Sequence, residues 1–190
     1  YCNGRHYWNL LLLGNGDAIS LYNNWIRHFA GRAPDAGAGG DQLSLLHIAG
    51  NLFEDGYWHA LDIGRPVRAL VEGNTFHTVS VPILNGGDPG FVWADKEPPS
   101  GGHQSLCGQW LGRTCVGNPL LEQAQGWQDN FRSDLIVLGD FSGHSDALDR
   151  PSPEPAQAAA LMVPFLAGPG HLGNGQIVLD AVVLNNGFEP

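Results

Sequence analysis

Ile19-Ser20-Leu21-Tyr22-Asn23-Asn24-Trp25-Ile26, Leu46-His47-Ile48-Ala49-Gly50-Asn51-Leu52-Phe53 and Ala69-Leu70-Val71-Glu72-Gly73-Asn74-Thr75-Phe76 are three copies of one pattern. Each reads apolar, x, apolar, x, x, Asn, x, apolar. The repeated Asn falls at Asn24, Asn51 and Asn74, so the spacings are 27 and 23 residues. Short alternating strands that return with a period in the twenties, with no long helical pattern between them, indicate a stacked solenoid. The expected fold is all-β, a parallel β-helix. Inward residues stack on their counterparts one turn above, and an Asn at a fixed turn hydrogen-bonds along the ladder.

The composition agrees. Only 15% of residues are charged and there are 27 glycines, which suits a turn-rich β protein better than a helical one. The formal net charge of -10 argues against a nucleic-acid partner, which needs a basic face. It also fits a polymer whose own acids are masked better than a bare polyanion. No apolar run reaches the roughly 18 residues that a membrane span needs, so no membrane partner is expected. The first residues, Tyr1-Cys2-Asn3-Gly4, read as the middle of a protein and carry no signal peptide.

Outward from the repeats, the chain is expected to form one partial domain over residues 1–190. Coils fill about 1–84, starting with the apolar run Leu10-Leu11-Leu12-Leu13. From about 85 to 133 the pattern dissolves into Gly, Pro and Asp, a long loop excursion. Cys107 and Cys115 bracket seven residues there and read either as a disulfide hairpin or as two buried thiols. Beyond 134, Asp134-Leu135-Ile136-Val137-Leu138 reads as a strand. Ala156 to Leu166, after a Pro-rich start, reads as one short helix packed on the side of the coils, and Gln176 to Leu179 as a last strand. The loop Asp35-Ala36-Gly37-Ala38-Gly39-Gly40 lacks the spacing of a phosphate cradle.

Five segments then follow in a telling order: Cys2-Asn3-Gly4-Arg5-His6-Tyr7-Trp8, Gly31-Arg32-Ala33-Pro34, His59-Ala60-Leu61-Asp62-Ile63-Gly64, Glu72-Gly73-Asn74-Thr75-Phe76, and Cys107 to Cys115. Over roughly residues 1–120 the chain resembles the fungal-type pectin lyases, of the pectate lyase superfamily of right-handed parallel β-helices. The resemblance implies a secreted, extracellular polysaccharide lyase. Such an enzyme cleaves methyl-esterified polygalacturonate (pectin) by β-elimination, with no metal or other cofactor. It places the catalytic arginine on Arg32 and substrate-stacking aromatics on Tyr7 and Trp8. It implies that Cys2 bonds a cysteine in an upstream half, which also completes the cleft; the chain then corresponds to the C-terminal part of an enzyme. One departure stands out. Relatives usually carry a basic residue where this chain has Asp35, and an acid there raises the arginine's proton affinity if it points the same way.

The residues alone leave other readings. Arg32 is either the base or a cation that stabilises an enolate-like transition state, since arginine is normally held protonated; otherwise it is a solvated side chain beside a turn proline. Trp8 and Tyr7 are either stacking platforms or packing. His6, His28 and His59 sit in no Ser/His/Asp pattern and read as structural. A calcium-dependent pectate lyase would need converging carboxylates, and Asp62 is the one evident acid in a coil strand. A glycoside hydrolase would need paired acids. A non-catalytic β-helix fragment that binds pectin is the rival from outside the enzymes.

Overall fold

A computed structural model describes residues 4–37 and 39–143, together with the backbone of 184–185. The alternating segments form parallel strands that wind around three faces. On the first face β2 (Ala18–Tyr22), β5 (Ser44–Ala49), β7 (Val67–Glu72) and β9 (Phe91–Ala94) lie in sequence order. The second face carries β3 (Trp25–Arg27), the first half of β6 (Leu52–Ile63), the first half of β8 (Thr75–Ile83) and β10 (Leu120–Leu121). The third carries β1 (Leu11–Leu12), β4 (Asp35–Ala36) and the second halves of β6 and β8. A short strand β11 (Leu184–Asn185) adds beside β3. This is the expected parallel β-helix, four strands deep on its first face.

The register explains the repeat. Leu21, Ile48, Val71 and Ala94 share one ladder position, and Ile26, Phe53, Phe76 and Leu120 another. These residues point inward and bury one another: Phe53 and Phe76 stack at 5.0 Å between ring centroids with only 9° between their planes. The Asn ladder is as expected. The Asn24 backbone N–H and side-chain amide both donate to Asn51 Oδ1, each at 2.9 Å. Asn51 donates to Asn74 Oδ1 at 3.0 and 2.8 Å in the same two ways. The ladder has a fourth rung, Asn118, which accepts from Asn74 at 3.0 Å in both. The residue before each of the first three is left-handed: Asn23, Gly50 and Gly73 have φ of 54°, 66° and 63°. Asn and Gly tolerate that conformation best, which fixes the residue choice at the turn.

Three expectations for the second half are corrected. Residues 85–133 are not a loop excursion: β9 and β10 continue the coils, and α1 (Gly101–Leu111) stands between them. Ser100 caps α1 by accepting from the His103 N–H at 3.2 Å, and Gly112 ends it in a left-handed conformation. Cys107 and Cys115 are bonded, but the link ties helix α1 to the returning coil and pins no hairpin. Third, the expected strand at 134–138 is the start of helix α2 (Ile136–Ser142). A short apolar run does not tell strand from helix by itself; Val137, Leu138 and Phe141, three and four residues apart, share one helical face. That face packs on Leu45, Leu70, Trp93 and the disulfide. The two helices cover the outside of the first face. The helix expected at 156–166 and the strand expected at 176–179 lie outside the described residues, as does Cys2.

Glu72 locks the coil on the side away from the Arg32 turn. It is buried and accepts from His47 Nε2 at 2.7 Å, from Arg113 Nη1 at 2.9 Å and Nη2, and from the Val116 N–H at 3.3 Å. Burial pushes its pKa up, but the Arg113 and His47 hydrogen bonds win and hold it at about 2. The folded-state pKa lies below the unfolded one. The stability Glu72 contributes is therefore present above about pH 4.5 and is lost as pH falls toward 2. Urea midpoints taken between pH 5 and 2 are expected to fall over that window, and to fall less steeply in Glu72→Gln. Reducing the disulfide is expected to cost about 2.5 kcal/mol by the loop-closure relation, read as a lower denaturation midpoint.

Candidate active site

The corner between the second and third faces repeats in every coil and forms a column along the coil axis. The ladder position after β3 is held by His28, Asp55, Thr78 and Glu122 in successive coils, all with φ between 46° and 55°. Just beyond it lie Tyr7 and Trp8, then Arg32, then Tyr57 and Trp58, then Ser80, then Gln125.

The Arg32 turn is clamped from both neighbouring coils. The Arg32 carbonyl accepts from the Leu10 N–H at 3.2 Å, and the Ala33 N–H donates to the Ala60 carbonyl at 2.7 Å. Arg32 itself has φ of 54°, a conformation a non-glycine side chain adopts at a cost and which concentrates at functional sites. Gly31 is required beside it: a Cβ there would stand 2.8 Å from the Tyr7 ring. Tyr7 is thereby drawn against the turn, and the aromatic cluster assembles around the arginine.

Arg32 sits with its guanidinium carbon 3.7 Å from the Trp8 ring centroid and 5.2 Å from that of Tyr7. Its Nη1 donates to Asp35 Oδ2 at 2.8 Å, and its Nε lies 3.5 Å from Asp62 Oδ2. The three residues named by the sequence are therefore one cluster. Asp35 does point at the arginine. It also lies in a strand, in register with Asp62, so two carboxylates stand side by side across one ladder rung. The reading of Asp62 as the one evident acid in a coil strand is thus corrected; Glu54 and Glu72 are strand residues too. Partial burial works to lower the Arg32 pKa, but the Asp35 hydrogen bond and charge outweigh it and raise it. Asp62 is pushed up, first by burial and then by the Asp35 charge, against the pull of Arg32.

His59 lies beneath the cluster, fully buried, with its ring 5.8 Å from Tyr7 and 4.6 Å from Trp58. Burial, and then the Arg32 charge, lower its pKa to about 4. It is neutral at neutral pH and is shut off from solvent, a packing residue under the site. A lowered histidine destabilises the fold as pH drops from about 6.5 to 4, where the unfolded chain takes the proton first. By the pKa difference this amounts to about 3 kcal/mol. In thermal melts at pH 7 and 4.5, His59→Phe is expected to lose less stability on acidification than the parent chain.

Sequence reasoning missed Trp58 and Tyr57. Tyr57 is 74% and Trp58 45% exposed, and Trp58 lies 6.2 Å from Tyr7. Their signal was present, two aromatics directly before the segment His59-Ala60-Leu61-Asp62. They edge an open groove of about 590 Å³ that continues the column past Thr78 and Ser80 to Gln125 and Gln128. Among the described residues no group of three or more His, Cys, Asp and Glu is placed to hold a metal ion.

No protein-family model matches the chain. It is 37% identical over 175 residues to a probable pectin lyase F of Aspergillus niger, covering 92% of this chain and 33% of that protein. Over most of its length the chain is similar to part of a pectin lyase. A probable pectin lyase D of Emericella nidulans is 33% identical over 172 residues, covering 90% of this chain and 41% of that protein. A probable pectin lyase F-2 of Aspergillus terreus is 33% identical over 185 residues, 95% of this chain and 34% of that protein. The chain thus spans about a third of the length of these pectin lyase relatives. The similarity and the β-helix agree, and matches that span 90–92% of the chain take in Arg32.

Proposed function

We propose that the Arg32 corner is the elimination centre of a pectin lyase acting on methyl-esterified α-1,4-galacturonan. The observation that carries this reading is the cluster itself. One arginine, in a backbone conformation that costs energy, is flanked by Trp8 and Tyr7, and Tyr7 lies 6.2 Å from Trp58, which lines the adjoining open groove. Aromatic faces such as Trp8, Tyr7 and Trp58 suit the flat faces of pyranose rings, and a groove along the axis suits a linear chain.

In the elimination a base removes the proton on C5, charge develops on the ester carbonyl oxygen, and the C4–O bond breaks. A C4=C5 double bond remains on one product, and the other leaves with the oxygen. A methyl ester acidifies the C5 proton more than a carboxylate does. Arg32 is either base or charge stabiliser in such a scheme. With Asp35 raising its pKa, the cationic role fits better: the guanidinium meets the developing oxyanion. The disulfide suits secretion to an oxidising, extracellular setting, where plant cell-wall pectin would be met.

Mass spectrometry of the products from highly methylated pectin tests the reaction class. Elimination predicts fragments with one unsaturated end, lighter by one water than hydrolysis products. Saturated ends at both termini of every fragment would assign hydrolysis, and unchanged polymer would leave a binding module.

A further inference from the structure

The charge balance around Arg32 has a consequence for which sugars the centre accepts. The guanidinium faces two carboxylates, Asp35 at 2.8 Å and Asp62 at 3.5 Å, which neighbour each other across one rung of the β4–β6 ladder. Two acids against one base leave the corner with an excess negative charge when both are ionised. Among the described residues, the other group within ion-pair distance of these acids is His59, whose Nε2 lies 3.7 Å from Asp62 Oδ2. His59 is neutral at pH 7, and the charges on the adjoining corner are matched among themselves: Arg5 Nη2 pairs with Asp55 Oδ1 at 2.5 Å, and His28 Nδ1 with Asp55 Oδ2 at 2.6 Å. Trp8 and Tyr7, edge to face with each other, pack beside the guanidinium at 3.7 and 5.2 Å. A free uronate carboxylate that reaches Arg32 therefore finds a cation already engaged and two like charges beside it. An uncharged methyl ester meets no such repulsion.

We propose that Asp35 is a specificity-determining residue of this centre: its carboxylate occupies Arg32 and turns away unesterified uronate, so that the esterified sugar is selected. The inference rests on the pectin lyase reading of the same corner. Asp35 acts by charge, through Arg32 and on the incoming carboxylate; it takes no part in breaking bonds.

Titration calorimetry of this chain with oligogalacturonates, fully methyl-esterified and unesterified, tests it. The parent chain is expected to bind the ester at least about tenfold more tightly, and Asp35→Asn to narrow that ratio to within about threefold by gaining affinity for the free acid. The gain on one ligand alone is a result that a merely structural loss would not give. If Asp35→Asn does not fold, the parent chain still decides. Raising ionic strength from about 0.02 to 0.5 M screens the repulsion, so the discrimination should shrink with salt. Discrimination unchanged in the variant, or unchanged by salt, overturns the role of Asp35 and leaves the pectin reading standing. Binding of neither oligomer overturns both.

Discussion

Arg32→Ala is expected to lower the rate of elimination on highly methylated pectin by about 10²–10³-fold, the usual cost of deleting one donor aimed at a developing oxyanion. The loss should fall on kcat, since the groove is lined by Tyr57, Trp58, Ser80, Gln125 and Gln128 and not by Arg32. Arg32→Lys should recover part of the rate. A lysine keeps the positive charge but neither the planar fork that reaches Asp35 and Asp62 nor the flat face that lies 3.7 Å from Trp8. Stability should change little, because the main-chain bonds that fix this turn, to Leu10 and Ala60, do not involve the side chain. Initial rates of product absorbance, with denaturation midpoints measured in parallel, check both halves of the statement. A variant that loses activity only as it unfolds would reduce Arg32 to a structural residue.

Asn74→Ala is expected to destabilise the chain by about 3 kcal/mol or more. Its side chain is fully buried in mid-ladder. Nδ2 donates to the Asn118 side chain at 3.0 Å, to the Ile48 carbonyl at 2.9 Å and to the Glu72 carbonyl at 3.2 Å. Oδ1 accepts two bonds from Asn51. Truncation leaves those partners unsatisfied where water does not replace the amide, and each stranded group costs roughly 1–3 kcal/mol. The break also separates the first two rungs from Asn118, so cooperativity between coils should weaken with it. Exposed Asn85 serves as the control, with Asn85→Ala expected to shift stability by about 0.5 kcal/mol or less. Urea unfolding followed by circular dichroism reads both. A change below about 1 kcal/mol for Asn74→Ala would mean that the coils are held by apolar stacking alone.

The first half of this molecule was legible in its sequence because its repeat is local. The spacing of Asn24, Asn51 and Asn74 encodes the register directly, and the alternation around each encodes which side chains turn inward. Asn118 escaped because helix α1 and its flanks separate it from Asn74 by 44 residues, which hides the period. A local mark survives, though: Gly50-Asn51, Gly73-Asn74 and Gly117-Asn118 are the same dipeptide. Helix α1 was obscured by its three glycines, although Ser100 and Gly112 mark its two ends. Helix α2 was misread because Ile136, Val137 and Leu138 favour strand by composition, and the decisive neighbour, Phe141, lies outside that run. At the site, Arg32, Tyr7 and Trp8 could be named but not joined. What joins them is the stacking of three successive corners, which also sets Trp58 beside Tyr7 and Asp35 in register with Asp62.

The central claim, that the Arg32 corner performs elimination on esterified galacturonan, is tested most directly by ultraviolet absorbance. The assay follows formation of the unsaturated product from highly methylated pectin, with a chelator present. A steady rise with this chain that is lost in Arg32→Ala is the predicted result. No rise from a chain shown by circular dichroism to be folded would contradict the claim and leave these coils as a pectin-binding or inactive β-helix.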